Sequence, residues 1–307
     1  MNEILRIENI YKSFGKRQVL KDISFSAYGG EVLGFLGPNG AGKTTLIKTV
    51  MGFLFADSGN IYIDGIDIKK EYEKAMALVG GIVENPEMYK ELTGRVNLEM
   101  YARIHDDIDE KRIDEVVELV GMKKRIDDKI GSYSLGMKQR IGLAQALIHK
   151  PKLLILDEPT NGLDPIGIHD LRDILKRYAH ESGAAVVVSS HQLSEMELMC
   201  DRVCIISNGV IIGESTIDEL NNLTQSASVY RYTVTDVNAA ISVATENQIP
   251  YRPVDESHIE FCLDDENIPE LTRLLAVGGA GVYGIEKQRK SLEEAFLDIT
   301  KGVREIV

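Results

Sequence analysis

The run Gly37-Pro38-Asn39-Gly40-Ala41-Gly42-Lys43-Thr44-Thr45 limits what this chain can fold into more than any other stretch of it. It contains the pattern G-x-x-x-x-G-K-T. A phosphate is held by backbone N–H groups converging from a loop that no side chain obstructs, which is why glycines recur in it. Lys43 supplies positive charge for the β- and γ-phosphates of a nucleotide, and Thr44 a hydroxyl for Mg²⁺. The bare pattern arises by chance in roughly one chain in a hundred of this length, so its surroundings decide its meaning. Here an apolar strand, Val32 to Leu36, precedes it and a helical segment, Lys43 to Met51, follows it. A strand, a glycine loop and a helix in that order form a phosphate-binding unit.

The surrounding chain supports an α/β reading. Leu5 to Ile10, Glu31 to Leu36 and Ile61 to Ile63 have strand character, the last running into an Asp64-Gly65 turn. Leu153 to Leu156 and Ala184 to Val188 are continuous apolar runs of strand length, suited to parallel strands buried on both faces. From about Asn85 to His149 the pattern is helical. Ile113, Val116, Val117 and Val120 share one helix face, as do Met137, Ile141, Ala144, Leu147 and Ile148. Strands alternating with helices imply a parallel sheet with crossover helices. Residues 1–220 therefore read as one α/β domain with a helical subdomain at about 85–150. A polar stretch, Asn221, Asn222, Thr224, Gln225 and Ser226, reads as a linker. Beyond it, residues 221–307 read as a small α+β domain. Its strands are near Val229–Val234 and Ile259–Leu263, and its helices near Asn238–Glu246, Ile268–Leu275 and Ser291–Ile299.

Three further segments carry candidate chemistry. Leu153-Leu-Ile-Leu-Asp157-Glu158-Pro159 is an apolar strand ending in two carboxylates. Asp157 can hold the magnesium shell and Glu158 can polarise an attacking water; the same pattern also serves as a plain strand-to-turn transition. Ser134, in Ser132-Tyr-Ser-Leu-Gly-Met-Lys-Gln-Arg140, is a good helix N-cap. A helix N-terminus with a free hydroxyl and an unobstructed Gly136 backbone can equally bind phosphate. His191 follows an apolar strand and Ser189-Ser190. A lone histidine is more often structural, but at a strand end of a phosphate-loop sheet its ring can reach a γ-phosphate.

Charge and composition narrow the function. The formal net charge is −13, which opposes unaided binding to nucleic acid or anionic lipid; no nucleic-acid partner is expected. No apolar run approaches the ~20 residues of a membrane-spanning helix, and the N-terminus lacks the layout of a signal peptide. A cytoplasmic protein is expected, unless something else holds it to a membrane. Cys200, Cys204 and Cys262 form no C-x-x-C pair and read as reduced and structural.

Together these segments resemble the ABC ATPase family. The order is phosphate loop, Ser134-containing signature, Asp157-Glu158 strand, Gly162-Leu163-Asp164-Pro165 as the D-loop, and switch His191. The resemblance implies ATP and Mg²⁺ as ligands and a head-to-tail dimer with two ATP molecules at its interface. Lys43 and Thr44 of one protomer would then share each ATP with Ser134 and Gly136 of the other. Phe14 matches the family's adenine-stacking aromatic, though a lone Phe could equally be core. The usual signature Leu-Ser-Gly-Gly-Gln is here Tyr133-Ser-Leu-Gly-Met137, keeping the serine and second glycine that touch phosphate. The family also places a glutamine after the strand that follows the phosphate-loop helix. This chain has Val79-Gly-Gly-Ile-Val-Glu84-Asn-Pro86 there, with no Gln between Gln18 and Gln139. Glu84 is expected to take that role as a harder, charged magnesium ligand, the alternative being a solvated loop residue.

The Glu84 substitution, the signature and the ending Ser291-Leu-Glu-Glu-Ala-Phe-Leu297 resemble the branch of bacitracin resistance, lantibiotic self-immunity and multidrug export. That implies an ATPase subunit powering a separately encoded integral-membrane permease and peripheral on the inner face of the membrane. A soluble ABC ATPase acting as a non-transport regulator is the alternative. ABC proteins of DNA repair would carry a coiled-coil or zinc insertion, and translation factors a second cassette; this chain has neither.

Overall fold

A computed structural model of the chain describes residues 2–105, 108–220 and 229–288. The helix expected at Ser291–Ile299 and the polar linker around Asn221–Ser226 lie outside the described residues. Internal contacts divide the chain into two units, Met1–Ile217 and Asp218–Val307.

The first unit is built on two sheets. A six-stranded sheet has the order β10-β9-β3-β8-β7-β6, comprising β3 (Val32–Leu36), β6 (Val79–Ile82), β7 (Leu153–Asp157), β8 (Ala185–Ser190), β9 (Arg202–Ser207) and β10 (Val210–Thr216). All its pairings are parallel except β9–β10, a hairpin at the edge. Every residue of β3, β7 and β8 is buried, and the apolar runs Leu153–Leu156 and Ala185–Val188 suit strands covered on both faces. The fold is α/β.

The second sheet differs from the single parallel sheet that the alternation of strands and helices implies. It is antiparallel and four-stranded, in the order β2-β1-β4-β5. Its strands are β1 (Glu3–Phe14), β2 (Arg17–Tyr28), β4 (Ser58–Ile63) and β5 (Ile66–Asp67). The reason is local: Gly15 takes φ 60° between Phe14 and its partner Arg17, and so tight a turn admits only an antiparallel return. The inner face of this sheet (Ile7, Ile10, Ile23, Ile61) joins Phe35, Ile155 and Val187 of the parallel sheet in one core with helix α1 (Lys43–Val50).

The other helices of this unit are α2 (Tyr72–Met76), α3 (Gly94–Ala102), α4 (Glu110–Leu119), α5 (Leu135–Leu147), α6 (Pro165–Ser182) and α7 (Leu193–Met199). Helices α3, α4 and α5 pack on one another, burying Leu98, Ile113, Val116, Val117 and Ile141. Four of these helices start on an oxygen that accepts from the first turn, α5 on Ser134 and three others as follows. Thr93 caps α3, Asp109 caps α4, and Asp164 caps α6 with a 2.8 Å bond from Gly167 N–H. Among the described residues, no helix is long and apolar enough to cross a membrane.

The second unit runs strand, helix, two strands, helix, strand. These are β11 (Val229–Val234), α8 (Val237–Glu246), β12 (Tyr251–Pro253), β13 (His258–Cys262), α9 (Ile268–Val277) and β14 (Val282–Gln288). The antiparallel order β12-β13-β11-β14 is that of a split βαβ unit. Alternate residues Tyr230, Tyr232 and Val234 of β11 face its core, with Ile259 and Phe261 of β13. The Tyr232 and Phe261 rings meet edge-on at 5.2 Å.

Central-strand burial sets an expectation for stability. Ile155 is 1% exposed in β7, so Ile155→Ala should lower unfolding free energy by about 2–5 kcal/mol, measured by urea denaturation.

Candidate functional site

The site follows from strand register. Leu36 of β3 lies opposite Ser190 of β8, and Ser189 lies opposite Asp157 of β7. Three parallel strands thus end level, and the chain leaving each one emerges at the same sheet edge, where ligands of open α/β sheets bind. Those exits are the loop 37–42, Glu158 and His191. The loop is fastened to β8 through Gly37 N–H, which donates to Ser190 O at 3.3 Å.

Two glycines make the loop possible. A Cβ on Gly37 would come within 2.3 Å of the Ile206 carbonyl oxygen, so any side chain would push the loop off β9. Gly42 caps α1 with φ 113°, a conformation that L side chains rarely adopt. The next residue, Lys43, is only 5% exposed. Its ammonium donates to Gly37 O at 2.6 Å and lies 3.2 Å from Glu158 Oε1. The other Glu158 oxygen is 2.8 Å from His191 Nδ1. Lysine, carboxylate and imidazole therefore form one continuous contact chain across three loops.

Glu158 is aimed by its backbone. It takes φ 49°, uncommon for a residue other than glycine, immediately after β7. Ser189 supports this turn: its hydroxyl accepts from Glu158 N–H at 2.9 Å and donates to Asp157 Oδ1 at 2.6 Å. Asp157 is 3% exposed, so that donor offsets part of the cost of burying its carboxylate.

A cavity of ≈400 Å³ opens over these groups, lined by Phe14, Asn39, Gly40, Gly42, Lys43, Thr44, Thr45, Glu158 and His191, together with Arg17, Val19 and Asn161. Phe14 is 49% exposed and is not a core residue. A buried ammonium, a glycine loop and the N-terminus of α1 converge here, and all three favour a polyphosphate. The Thr44 hydroxyl and the Asp157 carboxylate are hard oxygen donors of the kind Mg²⁺ takes. Gly37, Pro38 and Ala41 form the loop behind the cavity without lining it.

Asp157 is buried and does not line the cavity either, and Ser134, Gly136 and Glu84 lie away from it. Ser134 caps α5, accepting from Met137 N–H at 3.3 Å, and is exposed; Gly136 follows it in the first turn. Glu84 stands after β6 with φ 65°, and its carboxylate is 2.8 Å from Lys48 Nζ. That hydrogen bond and the Lys48 charge hold its pKa below the ordinary carboxylate value. Lys48 follows Thr44 by four residues, on the same face of α1. Glu84 is thus paired with a lysine one helical turn from Thr44.

Sequence reasoning missed Arg17, Val19, Asn161 and Ser189. Arg17 has a signal only through pairing, since it lies opposite Phe14 across the hairpin. Ser189 has none, because its role depends on β7 and β8 being neighbours. Of the cysteines, Cys200 and Cys204 are buried. Burial pushes both thiols up, Cys204 to about 12, so neither is a nucleophile at neutral pH.

Comparison with known proteins places this geometry among related chains. The family model described as ABC transporter matches residues 20–161. An uncharacterized ABC transporter ATP-binding protein of Bacillus subtilis, YhcH, is 45% identical over 100% of this chain and 99% of its own. The bacitracin transport ATP-binding protein BcrA of Bacillus licheniformis is 36% identical over 98% of this chain and 99% of its own. The lantibiotic transport ATP-binding protein SrtF of Streptococcus pyogenes is 40% identical over 72% of this chain and 94% of its own. Among solved structures, the ADP conformation of an ATP-binding cassette of an ABC transporter aligns with a TM-score of 0.65 at 29% identity, covering 73% of this chain and 95% of that one.

The Ser189 bridge predicts a measurable loss. Ser189→Ala removes the donor to buried Asp157 and the acceptor of Glu158 N–H. Stability should fall by about 1–3 kcal/mol in urea unfolding, and Ser189→Thr, which keeps the hydroxyl, should lose less.

Proposed function

Because the chain belongs to the ABC transporter ATP-binding family and is the ATPase subunit of a transporter, we propose that it powers export of a peptide antibiotic or other drug through a separate membrane permease. The observation that carries the chemistry is the Lys43–Glu158–His191 contact chain lining a cavity walled by a glycine loop. Support for the cargo comes from the relatives named for bacitracin and lantibiotic transport. The bacitracin relative matches over 98% of this chain and therefore spans much of the second unit as well. The lantibiotic relative matches over 220 residues. Cargo selection would belong to the permease, and the chain would sit in the cytoplasm at the inner face of the membrane, held there by that partner.

In this reading the loop 37–45 binds the ATP phosphates through backbone N–H groups, and Phe14, exposed at the cavity wall, stacks on adenine. Thr44, Asp157 and Glu84 are the residues that would hold Mg²⁺, which when bound neutralises phosphate charge. Glu84 would reach that shell by exchanging its Lys48 contact. Lys43 balances the charge developing on the γ-phosphate, Glu158 orients water for in-line attack, and His191 holds the γ-phosphate side. A second protomer, arranged head to tail, contributes Ser134 and Gly136 to each site. The exposure of Ser134 at the start of α5 leaves it free to do so.

Glu158→Gln should bind ATP as the unaltered chain does and lose turnover by on the order of 100- to 10,000-fold; equal turnover in a phosphate-release assay would remove Glu158 from the mechanism. Glu84→Gln should keep ATP affinity within about twofold while raising the Mg²⁺ concentration for half-maximal turnover, since an amide is a weaker ligand for that ion than a carboxylate. An unchanged metal response would take Glu84 out of the site. For the assembly, tagged chain purified from detergent-solubilised membranes should carry a multi-span membrane protein with it. Recovery from the soluble fraction alone would favour a non-transport role.

A further inference from the structure

Behind the contact chain lies a second, deeper connection, which no role proposed above uses. Thr160 stands two residues after Glu158, and Ser190 immediately before His191. Both are almost wholly buried, at 3% and 1% exposure. Their hydroxyls converge on a single carboxylate oxygen: Thr160 Oγ1 and Ser190 Oγ each donate to Glu195 Oε2 at 2.7 Å. Glu195 sits in the first turn of α7, just beyond the His191 loop. Ser190 Oγ also accepts from Gln192 N–H at 3.0 Å, so the residues on both sides of His191 are tied into the same node.

We propose that Glu195 is a positioning residue that clamps the segment after Glu158 to the segment carrying His191, so that the two side chains facing the cavity are aimed as one unit. The physical argument is one of leverage. Glu158 and His191 touch each other at their side-chain tips, and the Ser189 bond to Glu158 N–H fixes the start of the turn but not the residues after Glu158 or after Ser190. Two charge-assisted bonds from buried hydroxyls to one half-buried carboxylate oxygen hold those segments, because neither hydroxyl has room to find water instead. The clamped loop runs on to Gly162, where a Cβ would lie 2.6 Å from Leu135 Cδ2 at the start of α5. The segment tied to Glu195 therefore also rests against the α5 N-terminus that carries Ser134 and Gly136. This inference rests on the catalytic reading of Glu158 and His191, and its test keeps the two apart.

Two readouts on the full chain are needed, steady-state ATP turnover and the imidazole NMR signals of His191, assigned with a His191→Gln variant. In Glu195→Ala, kcat should fall by about 10- to 100-fold with KM for ATP within about twofold, and the His191 signals should shift or broaden. Glu195→Gln keeps an acceptor oxygen for both hydroxyls, so its loss should be no more than about threefold. Ser190→Ala and Thr160→Val should each reproduce part of the loss, and Ser190→Ala should add little to Glu195→Ala. An unmoved His191 signal with unaltered turnover in Glu195→Ala would overturn the clamp, as would a Glu195→Gln variant as impaired as the alanine. Losses in Ser190→Ala and Glu195→Ala that simply multiply would also overturn it. A displaced His191 signal with full turnover would instead uphold the clamp and count against the catalytic roles of Glu158 and His191.

Discussion

Keeping the Lys43 ammonium under cover is the condition on which the rest of the site depends. An ammonium that is only 5% exposed on its residue has lost most of its water, and that loss is tolerable only with close, well-aimed partners. The fold supplies them from two directions, the Gly37 carbonyl beneath and the Glu158 carboxylate across. Each partner imposes a demand of its own. Gly37 must lie against β9, which excludes a side chain there, and Glu158 must turn back from the tip of β7 through a left-handed backbone. The glycine pattern and the acidic strand end are therefore two consequences of placing one cation.

Strand register converts those local demands into a site. Because β3, β7 and β8 pair in parallel and end level, the loop 37–42 converges with two loops that lie more than a hundred residues further along the chain. The same register places Ser189 beside Asp157, where one hydroxyl satisfies a buried carboxylate and a turn N–H together. A shift of β8 by one residue would replace Ser189 with Val188 or Ser190 and turn its side chains to the opposite face. The apolar runs Leu153–Leu156 and Ala185–Val188 resist that shift by their burial, so core packing sets the geometry of the polar edge.

What was legible in the sequence divides along the same line. The phosphate loop, the Asp157-Glu158 strand end and His191 carry short-range signals, since each requirement is met within a few consecutive residues. The buried parallel strands were legible because two covered faces demand continuous apolar residues. The antiparallel sheet was not, because β1 and β2 bury only part of each strand, and their alternation is interrupted by shifts in register such as that between Ile7 and Ile10. Arg17, Ser189, Thr160 and Glu195 were also invisible. Their roles arise from neighbours 3 to 35 residues away in the chain, and a serine or glutamate alone announces no partner.

Glu84 shows how a single unusual residue joins the two kinds of information. The sequence singles it out by what is missing, a glutamine at the turn after β6, and the fold gives it a partner that a glutamine could engage only weakly. The Glu84–Lys48 pair is a contact between opposite charges at 2.8 Å, with the carboxylate side chain 67% exposed. At that exposure it contributes little to stability, so stability does not explain a glutamate in left-handed backbone at this position. Two of the eight non-glycine residues with positive φ among those described are glutamates, Glu84 and Glu158, and both project a carboxylate toward a lysine of α1. One helix, entered through the glycine loop, thereby meets acidic groups along more than one turn, Glu158 at Lys43 and Glu84 at Lys48.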